Sequence, residues 1–250
     1  MIVCATCGTV YDGRPEECAI CCDERQYVPA DGQQWASWED VLAEHEPEVR
    51  EEEGLLGIGM EPQFAIGQRA LVVDGVLWDC IPYVDDAVRE RVGSLRAIAI
   101  SHPHYYSALV DWARAFDCPV YLHEADRDWI QRWDERIELW SGDRKELGGG
   151  LTLIRLGGHF AGGTVLHWAD GRALLSGDIV QVLPGGRWVS FMYSYPMLIP
   201  LPPRGVERIA AALEPWDFDR IIGAWWGRIV RADAKDVVRR SAERYVRAVQ

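Results

Sequence analysis

Leu95-Arg96-Ala97-Ile98-Ala99-Ile100-Ser101-His102-Pro103-His104 is the stretch on which the reading of this chain turns. Residues 95–100 are a short apolar run, the pattern of a strand buried on both faces. Two histidines one residue apart follow it directly, which places both imidazoles near one spot at a strand end. The chain has only six histidines, at 45, 102, 104, 123, 159 and 167, so this pairing is not a by-product of abundance. A third stands in Leu156-Gly157-Gly158-His159, and an acid closes Leu174-Leu175-Ser176-Gly177-Asp178. Both follow apolar runs, and glycine lets backbone crowd around a site.

Working outward, residues 65–73 and 76–81 read as a hairpin around Asp74-Gly75, a dipeptide that accepts φ > 0. Residues 164–168 and 172–175 read as a second hairpin around Asp170-Gly171. Strands are expected at 119–122, 151–156 and 220–222, and helices at 107–116, 125–132, 206–213 and 234–249. Strands and hairpins interleaved with helices predict a mixed α/β (α+β) fold, two sheets with helices outside, as an αββα sandwich. The expected domain is 64–250. Residues 29–63 are acidic and read as a linker or irregular wrap, with Ser37 capping a short helix over 38–45. Residues 187–203 read as a long irregular loop, a form often used as a lid.

Residues 1–28 are a cysteine-rich head. Cys4-Ala-Thr-Cys7-Gly8 and Cys18-Ala-Ile-Cys21 are two C-x2-C knuckles separated by ten residues. Paired knuckles supply the four thiolates that tetrahedral zinc needs, at about 2.3 Å each. Such a closed set leaves no open position, so this zinc staples the head and does not catalyse. A head this small has too little core to stand without it. Cys22 is a spare; Cys80 and Cys118 read as core.

Composition narrows the partners. With 26 Lys+Arg against 39 Asp+Glu the formal charge is −13, which argues against nucleic acid or an anionic membrane as the main partner. No run approaches the ~20 apolar residues of a membrane span. A chain of 250 residues buries roughly 70–75% of its unfolded surface and needs no disulfides. Seven cysteines without a secretory signal fit metal binding in a reducing cytoplasm.

The order Ser-His-Pro-His (101–104), then Gly-His-x-x-Gly (158–162), then Ser-Gly-Asp (176–178) resembles the metallo-β-lactamase-fold superfamily over roughly residues 64–230. With its cysteine head the chain is also similar to a bacterial and plant branch with a reduced H-x-H motif. The superfamily motif H-x-H-x-D-H maps its leading histidines onto His102 and His104. Its aspartate falls on Tyr106 and its last histidine on Ser107. The later histidine maps onto His159 and the bridging aspartate onto Asp178. A final histidine has no counterpart in Ile221-Ile222-Gly223-Ala224-Trp225-Trp226-Gly227, and Asp79 matches an early scaffold aspartate.

The ligands lost are those private to a second metal. The resemblance therefore implies a mononuclear centre on His102, His104 and His159, with Asp178 as proton acceptor or fourth ligand. Three histidines with an open position match catalytic zinc, which lowers the pKa of its water to about 7. The leading expectation is a hydrolase of an ester, thioester or amide-like bond in a small-molecule substrate. Iron is the alternative: two histidines and Asp178 form the facial triad of an Fe(II) oxygenase acting on a small thiol-type substrate. Members resembling persulfide dioxygenases bind one iron, and they keep the aspartate that is Tyr106 here. The reading from another class is a pseudoenzyme that binds a partner through the zinc head and a cleft walled by Trp225 and Trp226. Tyr106, in a vacated ligand position, is a candidate donor to a substrate oxyanion. His123 reads as support or packing, His167 as structural and His45 as solvated.

Overall fold

The computed structural model describes residues 1–250, which divide into two compact units. The first comprises residues 1–122 and 127–139; the second comprises residues 123–126 and 140–250.

The first unit is built on a seven-stranded sheet. Its order is Ile137–Trp140, Val120–His123, Ala97–Ala99, Val76–Trp78, Ala70–Val73, Leu55–Glu61, Glu46–Glu52. Three central strands run parallel: Leu77 pairs with Ile98, and Ile98 with Val120. These strands are apolar on both faces and buried, as parallel strands require. The first expected hairpin is present, with Asp74 and Gly75 both at positive φ, +46° and +70°. That is the turn whose twist suits a two-residue loop. The helix Leu109–Phe116 buries Leu109, Val110, Trp112 and Ala113, and Trp112 Nε1 donates to Ile81 O at 3.1 Å.

Residues 46–61 differ from the expected linker. They form an antiparallel hairpin at the edge of the sheet, with Val49 facing Ile58. The run of glutamates hid it: on an edge strand the outward positions are solvated and carry charge at no cost. Ser37 caps the helix Trp38–Glu44 as expected, in a reciprocal capping box with Asp40. The cysteine head is tied further along the chain than residue 28. Ile2–Cys4 pairs with Val10–Tyr11 on one side and with Trp35–Ala36 on the other.

The second unit carries a six-stranded sheet ordered Arg144–Gly148, Leu151–Arg155, Thr164–Trp168, Ala173–Gly177, Arg220–Gly223, Ile229–Val230. Its core joins Ile154, Val165, Leu174 and Ile221 to Val206, Ile209 and Leu213 of the helix Pro203–Leu213 and to Val237 and Val238 of Ala234–Val249. The latter helix puts its charges outside, where Arg239 bridges Asp236 and Glu243. The second expected hairpin is present, but its turn works differently. Positive φ falls on Arg172 (+45°), and Gly171 is needed because a Cβ there would sit 2.1 Å from the Trp168 ring.

Three other expectations are corrected. Residues 187–203 are not a featureless loop: Val189–Ser190 pairs with Gln181–Val182, and Met192–Ser194 with Ile199–Pro200. Residues 125–132 give a 3-10 segment, Glu124–Trp129, broken at Asp126, in place of an α-helix. Asp126 turns its carboxylate to the Gly162 N–H at 2.8 Å, a tertiary bond that the local pattern does not announce. His45 is half-buried, with Nδ1 2.8 Å from Pro62 O and its ring against Phe64.

Candidate metal centres

The four knuckle cysteines are buried, and their sulfurs lie within 4.8 Å of one another. Cys4 and Cys21 Sγ are 3.5 Å apart, as are Cys7 and Cys18 Sγ. A tetrahedron of about 2.3 Å bonds has edges of about 3.8 Å, so the group has the size of one zinc shell. Polar hydrogens already point at the sulfurs: Gln33 Nε2 donates to Cys4 at 3.0 Å and Tyr11 Oη to Cys18 at 3.3 Å. Such donors favour thiolate over thiol. The neighbouring thiols of Cys21, Cys4 and Cys7 hold the Cys18 sulfur well below the usual thiol range. Burial pushes Cys7 the other way. Gly8 closes the first knuckle at φ +79°. Cys22 is exposed beside Glu17, and Cys80 and Cys118 are buried, as expected of a spare and two core residues.

In the first unit the carboxyl ends of the parallel strands carry the polar residues. Asp79 follows Val76–Trp78 at φ +63°, and its Oδ1 accepts the Ser101 N–H at 2.7 Å. Ser101 Oγ lies 2.9 Å from His102 Nδ1 and orients that ring. The chain then makes a 3-10 turn, Pro103–Tyr105, in which the Tyr105 N–H reaches His102 O at 3.0 Å. The turn brings the His102 and His104 rings to 5.1 Å. The Tyr105 ring packs on His102 at 4.4 Å. Tyr106 is buried and borders a narrow gap with Thr9, Val10, Ile20 and Trp129.

In the second unit His159 follows Gly157 and Gly158, both at positive φ. A Cβ on Gly158 would meet Leu201 and Ile209 at 3.0 Å, so the loop closes only with glycine there. His159 Nδ1 donates to Tyr193 O at 2.6 Å. A carbonyl accepts only, so Nδ1 carries a proton. His159 Nε2 lies 3.8 Å from Asp178 Oδ2, too long for a hydrogen bond. Asp178 ends Ala173–Gly177, a strand parallel to Arg220–Gly223. Tyr195 Oη donates to Asp178 O at 2.9 Å and to Ser190 O at 3.0 Å. Burial, then the Asp178 charge, keeps this phenol protonated.

The candidate ligands are buried, His102 and His104 in the first unit and His159 and Asp178 in the second. His123 does not join them. Its Nε2 meets Gly142 O at 3.0 Å, and its Nδ1 accepts the Ala125 N–H at 3.1 Å. His167 is likewise structural, 2.8 Å from Asp217 O. Trp225 and Trp226 follow the strand Arg220–Gly223 and are half-buried. Sequence reasoning missed Ser101, Tyr193 and Tyr195. Of these only Ser101, next to the paired histidines, leaves a local trace. No helix is long and apolar enough to cross a membrane.

The model of the metallo-beta-lactamase superfamily matches residues 64–214. Uncharacterized protein YmaE of Bacillus subtilis (strain 168) is 46% identical over 264 residues, covering 99% of this chain and 96% of that one. The metallo-beta-lactamase FIM-1 from Pseudomonas aeruginosa, in its mono-zinc form, has a similar fold. Its TM-score is 0.58 at 15% identity, over 80% of this chain and 96% of that one. A peroxy diiron species of the chemotaxis sensor ODP aligns with a TM-score of 0.52 at 19% identity, over 80% and 94%. These likenesses match the expected mixed α/β class.

Proposed function

We infer that this chain, which belongs to the metallo-beta-lactamase superfamily, is a hydrolase working with one ion on His102, His104 and His159, with Asp178 beside them. The observation that carries the reading is the selectivity of the donor set. Three histidines and one carboxylate that could hold an ion are each buried, while Tyr106, Ser107 and residues 223–227 offer none of the usual ligands of a second ion. An ion there supplies a Lewis acid that polarises a carbonyl and brings the pKa of a water to about 7.

The protein's own residues do the rest. Ser101 orients the His102 ring, and the Tyr193 carbonyl fixes the tautomer of His159. Asp178 accepts the proton released by the attacking water. Tyr106 donates to the oxygen that gains charge; a phenol stays neutral at pH 7 and serves as donor, not ligand. The substrate class is an ester, thioester or amide-like bond in a small molecule. In the head, zinc on Cys4, Cys7, Cys18 and Cys21 is a staple.

Iron at the histidine group is the second reading, favoured by the diiron state of a protein that shares the fold. Elemental analysis of protein purified without added metal separates the cases. Two zincs per chain, with turnover on an ester, thioester and lactam panel that Asp178→Asn abolishes, supports the hydrolase. Zinc plus iron replaces it with oxidation of a thiol. Zinc on the cysteines alone makes the chain a binding module.

A further inference from the structure

The cysteine head and the turn that carries His102 and His104 are joined through backbone, inside one compact unit. The Val10 N–H donates to Ser107 O at 3.2 Å. The head's own sheet does not use that N–H; there the Cys4 N–H goes to Thr9 O at 2.9 Å. Thr9 in turn is fixed by its hydroxyl, 3.2 Å from Cys7 Sγ. Ser107 stands at φ +43°, the left-handed region that a residue with a Cβ avoids. Its Oγ accepts from Gln68 Nε2 at 3.0 Å, and the same amide donates to Cys80 O at 3.0 Å. A strained residue persists only where its surroundings over-determine it. Here the surroundings are Gln68 and the head.

The packing is tight enough to transmit position. Ile20, between Cys18 and Cys21, borders with Tyr106, Ser107, Leu109 and Val110 a gap of about 10 Å³, barely the room of one water. A Cβ on Gly8 would lie 3.3 Å from the Pro82 ring. Arg132 links Asp12 of the head to Asp111 of the helix that follows the turn.

We propose that the cysteine-bound ion is a positioning element for the histidine centre. By fixing Thr9 and Val10 it holds Ser107 at positive φ, and so sets the turn that presents His102 and His104. Loss of the ion removes the organiser of a head that has almost no other core. Ser107 then relaxes to negative φ, and the 3-10 turn Pro103–Tyr105 loses its register. The histidine centre is thereby made to depend on the state of four thiolates. The claim rests on His102 and His104 being ligands, as argued above.

The test is amide hydrogen exchange together with zinc affinity measured against a competing chelator. In Cys18→Ser, which lacks the head ion, the amides of Tyr105, Tyr106 and Leu109 should exchange at least tenfold faster, with Leu56 and Leu71 unchanged. Zinc affinity of the histidine centre should fall about tenfold or more. Adding Ser107→Gly should recover part of that affinity, because glycine takes φ +43° without cost. Val10→Pro deletes the single N–H and leaves the cysteines, so it should reproduce the faster exchange with the head ion in place. This variant also decides the matter if Cys18→Ser does not fold. Unchanged exchange at Tyr105 and Tyr106 in both variants overturns the proposal. A wild-type protein that never takes an ion on His102 overturns the functional reading instead, and the exchange data still judge the link.

Discussion

Ser101 Oγ stands 2.9 Å from His102 Nδ1, while the backbone N–H of the same serine is held by Asp79 Oδ1 at 2.7 Å. One residue thus aims a ligand and is itself aimed by the neighbouring strand end. Ser101→Ala should leave the fold intact and weaken zinc at the histidine centre about 10- to 100-fold, the usual cost of losing a ligand's outer partner. Competition with a chromophoric chelator reads the change directly, and an unaltered affinity would show the serine to be idle.

His159→Ala should cost one ion per chain and keep the cysteine-bound one, whereas Cys4→Ser should do the reverse. Mass spectrometry under non-denaturing conditions counts both. Loss of the cysteine-bound ion in His159→Ala as well would mean that the head does not hold its ion by itself.

Tyr195→Phe removes a hydroxyl that serves two carbonyls, Asp178 O and Ser190 O. Leaving buried acceptors unpaired costs about 1–3 kcal/mol, so unfolding in urea should begin at a lower concentration by that measure. Turnover should fall further than stability, since Asp178 loses its anchor.

Burial holds His123 below the ordinary histidine value near 6.5, against the opposing pull of its bond to the Gly142 carbonyl. The unfolded chain therefore binds a proton first as pH falls. The contribution to stability is complete above about pH 6.5 and is lost progressively below it, down to the depressed folded value. The melting temperature of the wild type should drop faster between pH 6.5 and 5.5 than that of His123→Gln. Parallel pH curves for the two proteins would assign the acid sensitivity elsewhere.

The central strands, the paired histidines at 102 and 104 and the cysteine knuckles were legible in the sequence because their signals are local. An apolar run ending in Ser-His-Pro-His, or two C-x2-C knuckles, needs no distant partner to be seen. The helix 234–249 was read with the bounds it has, since its period is uninterrupted. Strands whose burial is one-sided and whose outer residues are charged were not. Ile137–Trp140 is too short to stand out, and Arg144–Gly148 opens with three charged residues in a row. Tyr193 and Tyr195 lie more than thirty and fifteen residues from the groups they hold, His159 and Asp178, so only tertiary structure joins them.

The strand Glu46–Glu52 has one further consequence. It is an outer border of the seven-stranded sheet, and Glu46, Glu51 and Arg50 on it face water, with Pro47 among them. A border of unpaired amides is a template on which another chain can add itself. Carboxylates in a row repel any similarly charged strand, and a proline withholds the donor that such growth needs. The stretch that reads as a linker or wrap is therefore built against the addition of another strand at this edge, in a chain that already carries −13.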